Sequence, residues 1–182
     1  MLAHNVAELL KSPLGATRLL VIDDPEPDFG PDLTPVGPVR GSARLVRTPD
    51  AILAYGRVGG TFQLDCSRCL EPFQVELAVS FEEQFLPSVN IVTGSALEPP
   101  EDAALRIDER HVLDLTEISR QYFLMALPLN PICTTDCAGL CPGCGVNLNA
   151  VICSCDPEPP ASGLGILASL LASGQEERGP TS

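Results

Sequence analysis

Tryptophan is absent from the 182 residues, and the chain carries only 2 tyrosines and 6 phenylalanines. A core must therefore be built mainly from Leu, Val, Ile and Ala. Basic residues are also scarce, 11 Lys and Arg against 24 Asp and Glu, for a formal charge of −13. A chain this acidic has no field to draw in a phosphate backbone, so action on RNA is expected to run through a basic protein partner. The arginines do recur in one region (Arg40, Arg44, Arg47, Arg57, Arg68), which leaves room for a local basic face. There are two histidines, His4 and His111, in unrelated contexts and with no motif around either. Nothing approaches the eighteen or so apolar residues of a membrane span; the apolar patch Leu164–Ala172 suits a short helix. The opening Met1-Leu2-Ala3-His4-Asn5 lacks the basic n-region of an export signal. A cytoplasmic, reducing environment is expected, which favours thiols and metal over disulfides. No phosphate-binding glycine loop and no nucleophile elbow is present.

What the chain has is cysteine. Six of its eight cysteines fall between Cys133 and Cys155, at positions 133, 137, 141, 144, 153 and 155. Cys141-Pro-Gly-Cys144-Gly145 has the form of a zinc knuckle, in which two sulfurs three residues apart face one ion and backbone N–H groups face the thiolates. Pro142 presets φ in the turn, and Gly145 is suited to the left-handed conformation that ends it. The other two cysteines, Cys66 and Cys69, form a second C-x-x-C far upstream. Paired C-x-x-C units distant in sequence are the usual arrangement of a tetrahedral zinc clamping two segments. One assignment puts Cys66, Cys69, Cys141 and Cys144 on one zinc and Cys133, Cys137, Cys153 and Cys155 on a second. A rival assignment keeps one zinc within the C-terminal six and leaves Cys66 and Cys69 to a redox or partner role. Iron–sulfur ligation uses the same residues. A zinc closed by four thiolates has no open position for water, so it is structural rather than hydrolytic. For thiol redox chemistry, Arg68 is placed to lower a thiol pKa, but the motif lies between two strands rather than at a helix start.

Periodicity supplies the frame. Asn5 to Lys11 suits one or two helical turns with Asn5 as N-cap, and Thr17 to Ile22 a short strand. Asp23 to Pro38, rich in Pro and acidic residues, reads as an exposed loop. Val39 to Arg47 and Ala51 to Asp65 read as strands, the second broken by a bulge at Gly59-Gly60. Phe73 to Phe85 alternates Phe73, Val75, Leu77, Val79 and Phe81 with polar or small residues, the period of a half-buried antiparallel strand. Cys66-Ser-Arg-Cys69 then sits at a hairpin tip. Ala104 to Ile107 suits an edge strand. Asp114-Leu-Thr-Glu117 resembles a capping box opening a helix that runs to Leu127, with Leu115, Ile118, Tyr122 and Met125 as its core stripe. Beyond Cys155 come a Pro-rich linker, a short helix over Gly163 to Ser173, and a tail.

Four motifs in order carry a family resemblance. They are Cys66-Ser-Arg-Cys69-Leu-Glu-Pro-Phe73 with its alternating strand, and the Leu113-Asp-Leu-Thr…Leu127-Pro128 helix. The others are the Cys133…Cys137-Ala-Gly-Leu-Cys141-Pro-Gly-Cys144-Gly145…Asn149 block and the terminal Leu164-Gly-Ile-Leu-Ala-Ser-Leu170. Together they resemble the YceD-like family of large ribosomal RNA subunit accumulation proteins. The resemblance implies a factor for processing or accumulation of large-subunit ribosomal RNA, whose partner is a ribosomal protein or pre-ribosomal particle.

The expected architecture is α+β: an antiparallel sheet or small open barrel covered by a helix, with a cysteine-rich zinc module near the C-terminus. Residues 1–128 would form the α+β domain with its hairpin-tip C-x-x-C, and 129–182 the zinc module with its terminal helix and tail. The expected function is a non-enzymatic binding protein holding one or two zinc ions, with no membrane and no small-molecule substrate. Direct RNA contact stays open. The competing reading is a zinc- or thiol-dependent enzyme or redox-sensitive regulator.

Overall fold

The computed structural model describes residues 2–98 and 100–155. The expected terminal helix and tail lie outside these residues. The strands are β1 (Ala3–Asn5), β2 (Thr17–Asp24), β3 (Thr34–Pro35), β4 (Val39–Arg47), β5 (Ile52–Asp65), β6 (Pro72–Pro87), β7 (Arg106–Ile107) and β8 (Val112–Asp114). Helices are few among the described residues: α1 (Ala7–Lys11) and α2 (Thr116–Ala126), with a 3-10 turn at Ala103–Leu105. By contact the chain divides into a unit reaching Cys137 and a second beginning at Ala138.

The first unit is built on a sheet in the order β1-β8-β7-β6-β5-β4-β2, with β3 added to β5. It curls into a half-barrel that α2 covers. Two expectations need correcting. Among the described residues strand far outweighs helix, so the α+β class expected is not met in balance although one helix does cover the sheet. The sheet is also mixed rather than antiparallel, because β6 and β7 run parallel at Leu86↔Arg106 and Pro87↔Ile107. Parallel neighbours need a crossover connection, and residues 88–105 supply one.

The hairpin of β5 and β6 is the longest feature. Its register runs unbroken from Ile52↔Phe85 to Asp65↔Pro72, so Gly59-Gly60 makes no bulge. At roughly 3.3 Å per residue the paired arms extend over about 45 Å. The lower part is flanked by β4 up to Gly59, and β3 adds support at Phe62 and Gln63. Beyond that the hairpin carries the Cys66–Cys69 turn away from the main core. Glycine matters here for close approach. A Cβ at Gly41 would sit 2.0 Å from the Arg57 carbonyl oxygen, so β4 and β5 cross at a distance only glycine allows.

Inward residues follow the period of two: Val39, Ala43 and Leu45 on β4, Ile52, Ala54, Val58 and Phe62 on β5, Val79, Phe81 and Phe85 on β6. The loop between β2 and β4 differs from the expectation of an exposed stretch. Phe29 and Leu33 are buried within it, and Phe29 meets Phe62 and Phe123 at ring-centroid distances of 6.2 and 5.8 Å. Phe62 and Phe123 meet at 4.7 Å, so three of the scarce aromatics form one cluster between sheet, loop and helix.

Helix α2 begins later than the sequence pattern suggests. Leu115 is its N-cap, and the Asp114 carboxylate accepts from the Thr116 N–H at 2.9 Å and the Thr116 hydroxyl at 2.6 Å. Glu117 does not reach back to close a capping box; it pairs with Arg120 and accepts from Gln121 instead. The buried face is Ile118, Ser119 and Phe123, while Met125 is exposed. Of the expected stripe Leu115 and Ile118 are buried and Tyr122 packs against the core; only Met125 falls outside it, and Phe123 is added because it completes the aromatic cluster. At the start of the chain Asn5 accepts from the Ala7 N–H at 3.0 Å, although Val6 holds the N-cap position of α1.

Candidate metal centres

The hairpin turn is closed by two backbone bonds: Leu70 N–H donates to the Cys66 carbonyl at 2.9 Å, and Cys66 N–H to the Glu71 carbonyl at 3.0 Å. The turn at Cys141 repeats both: Gly145 N–H to the Cys141 carbonyl at 2.8 Å, and Cys141 N–H to the Val146 carbonyl at 2.8 Å. The residue after the second cysteine is left-handed in each, Gly145 at φ 75° and Leu70 at φ 61°. Two copies of one knuckle are therefore present. The sequence hides the kinship, because one copy uses glycine at that position and the other leucine.

Each knuckle gathers two more sulfurs. The Pro131 carbonyl accepts from the Ser67 N–H at 2.7 Å, bringing the segment after α2 alongside the hairpin tip. Cys133 and Cys137 then face the first knuckle, with Cys66–Cys137 and Cys69–Cys133 sulfur separations of 3.8 Å. In the second unit, a turn through Asn147–Asn149 returns the chain, and the Asn149 side chain accepts from the Ala138 N–H at 2.8 Å. Cys153 reaches both Cys144 and Cys141 at 3.4 Å, and Cys155 joins them. All eight thiols are free. Within each set of four, every sulfur lies within 4.8 Å of the others.

This grouping departs from the assignment that paired the two C-x-x-C units on one ion. Cys66 and Cys69 go with Cys133 and Cys137, and Cys141 and Cys144 with Cys153 and Cys155. The rival assignment is right that four of the six C-terminal cysteines gather locally, at Cys141, Cys144, Cys153 and Cys155. Cys66 and Cys69 are not left aside, however: they belong to the other four-sulfur set. Spacing favours two equal C-x-x-C pairs, but chain reach decides otherwise: Cys153 follows Cys144 by nine positions, enough for one local turn. The one-residue spacing of Cys153 and Cys155 is accommodated, and the Cys155 N–H donates to Cys153 Sγ at 3.2 Å.

The electrostatics of both sets match. Burial pushes the Cys66 thiol up, but N–H groups of Cys69, Cys133 and Arg68 outweigh it and bring it to about 6. It is the Arg68 backbone that serves Cys66 here. In Cys141, N–H groups of Cys144 and Gly143 lead, again to about 6. Opposite members move the other way. The Glu71 N–H lowers Cys69, yet burial and the neighbouring sulfurs lift it to about 12. Cys155 is raised to about 12, first by Cys153 and Cys144. Each set thus gives up one proton readily and resists losing the last, because charge accumulates on crowded sulfur. A cation between the sulfurs removes that conflict. A tetrahedral ion with bonds of about 2.3 Å to sulfur needs sulfur–sulfur edges of about 3.8 Å. The residues fit such an ion in both places, and either set could hold one.

The two sets differ in surroundings. Cys66, Cys69 and Cys137 are buried and form a small core of their own, joined among the described residues by Phe73 and Cys133. Cys144 and Cys155 are exposed.

The sequence profile described as large ribosomal RNA subunit accumulation protein YceD matches residues 54–171, which takes in both knuckles and α2. The chain belongs to the YceD family. Among relatives, uncharacterised proteins of Mycobacterium bovis and Mycobacterium tuberculosis are 31% identical over 58% of this chain and 49% of their own length. A chloroplastic protein of Arabidopsis thaliana, named large ribosomal RNA subunit accumulation protein YCED homolog 1, is 26% identical over 78% of this chain and 51% of its own. This YceD-family chain spans about half the length of the curated relatives it matches. No solved structure matches it.

Proposed function

We propose that this YceD-family chain is a cytoplasmic ribosome biogenesis factor, required for processing or accumulation of large-subunit ribosomal RNA. It acts as a non-enzymatic binding protein on a ribosomal protein or pre-ribosomal particle. Membership of the family carries this reading, supported by the name of the Arabidopsis relative. The formal charge of −13 complements the basic surface of a ribosomal protein.

Zinc is the ion we assign to both sulfur sets: Cys66, Cys69, Cys133 and Cys137 hold one, Cys141, Cys144, Cys153 and Cys155 the other. Four sulfurs within 4.8 Å suit a single thiophilic ion rather than a cluster of several irons. Four thiolates close the coordination shell, so these ions hold surfaces in place and present no site for activated water. In the first set zinc ties the segment after α2 to the hairpin tip, where apolar burial is slight.

The test is affinity capture of the tagged full chain from lysate, with and without ribonuclease. The reading predicts enrichment of large-subunit proteins and precursor RNA in the untreated sample. Enrichment of neither would contradict it. Persistence of the proteins after ribonuclease identifies a protein-held contact.

A further inference from the structure

The outward face of β2, β4, β5 and β6 is arranged in rows by strand register. One row runs Leu19, Arg44, Tyr55, Glu82; the next Val21, Ser42, Arg57, Ser80; the third Asp23, Arg40, Gly59, Ala78. Leu19, Val21 and Tyr55 are 70%, 75% and 42% exposed, unusual for large side chains on a sheet. Arg40 is engaged by Asp23 at 3.2 Å. Among the described residues, Arg44 and Arg57 have no carboxylate partner. A depression of about 620 Å³ lies over Leu19, Arg44, Tyr55, Arg57 and Glu82 and extends to Phe81 and Tyr122, and a smaller one of about 310 Å³ adjoins it over Arg40, Gly59 and Ala78. The two share Ser42 and Arg57, forming a shallow trough.

This chemistry is specific. Arg57 is flanked across both neighbouring strands by hydroxyls, Ser42 and Ser80, a donor set suited to a phosphate. Two residues along β5, and so about 6.6 Å away, Tyr55 presents its ring beside Arg44. Across the strands Tyr55 lies between Arg44 on β4 and Glu82 on β6. An exposed aromatic ring with guanidinium groups beside it on an open sheet is a stacking platform for unpaired bases. Gly59 and Ala78 leave the trough floor free of bulky side chains. The charge of −13 removes long-range attraction, but short-range contact depends on the local donors.

We propose that this face binds single-stranded RNA, with a base stacked on Tyr55 and adjacent phosphates taken by Arg57 and Arg44. The inference rests on the reading above for the link to ribosomal RNA, goes beyond it in naming RNA as a direct partner, and is tested apart from the particle. Fluorescence anisotropy of the purified, metal-loaded full chain with a labelled ten-nucleotide oligouridylate is the measurement. Binding is expected to weaken about 5- to 100-fold in Tyr55→Ala and to survive in Tyr55→Phe. Arg57→Ala is expected to weaken it and to flatten a salt slope of about −1.4 to −2.1, the value for two or three phosphates on a single strand. No binding would overturn the proposal. So would binding indifferent to both alanine variants, or displaced equally well by duplex RNA or polyglutamate. If capture of large-subunit components persists in Tyr55→Ala and Arg57→Ala while free RNA is not bound, this inference alone falls.

Discussion

Leu70 is the residue at which the two knuckles can be compared directly. It holds a left-handed conformation at φ 61° that glycine adopts in the second copy, and its side chain is 64% exposed. A left-handed β-carbon costs about 1–2 kcal/mol, and this exposed side chain returns little by packing. Leu70→Gly is therefore expected to stabilise the metal-loaded chain by up to about 1 kcal/mol after the entropy of the unfolded glycine is counted, read by urea denaturation. Destabilisation would show that Leu70 packs on something essential. Gly41 makes the converse case. Its missing Cβ leaves room for the Arg57 carbonyl, and backbone cannot move aside as a side chain can. Gly41→Ala is expected to cost about 3 kcal/mol in the same assay. Gly145 announced its role in the sequence through its place after C-P-G-C, and Leu70 in the same place did not. Nor did Gly41, whose constraint arises only when two strands meet.

At the scale of elements, strand periodicity was legible, and helix phase was legible at Leu115, Ile118 and Tyr122 but not at Phe123 and Met125. Val39 to Arg47 matches β4 because alternating burial needs no knowledge of neighbours. The face of α2 depends on which aromatic fills the gap against Phe29 and Phe62, a fact of tertiary packing that no local pattern contains. The same packing pulled Phe29 out of a Pro-rich acidic loop that composition alone marks as exposed. The pairing of the cysteines failed for a related reason: spacing identified the knuckles, but which later sulfurs join each depends on the path of the chain after α2. Helix and sheet are also joined by the Tyr122 hydroxyl, which donates to Glu83 at 2.9 Å. Burial, then Glu83, holds the Tyr122 pKa above its ordinary 10.0. The folded state thus favours the proton more than the unfolded state does. The stabilisation is complete below pH 10 and fades as pH rises through the folded value. Stability is expected to fall more steeply above pH 10 than in Tyr122→Phe. Identical alkaline profiles would exclude the contact.

For the molecule as a whole, the two sulfur sets that could hold metal are unequal. The set at the hairpin tip is buried, while Cys144 and Cys155 of the other are open to solvent. A chelator should therefore remove metal in two phases, the faster from Cys141, Cys144, Cys153 and Cys155. Cys155→Ser should abolish the fast phase and leave the slow one. A single phase in the parent chain would mean that exposure does not govern release. No helix among the described residues is long and apolar enough to cross a membrane.

Metal stoichiometry tests the arrangement most directly, by native mass spectrometry of the full chain purified without chelator, beside its Cys137→Ser variant. Two zinc ions per parent chain are expected and one in the variant, the survivor being held by the four sulfurs beyond Cys137. A metal-free parent chain, or a variant that keeps both ions, would contradict the account.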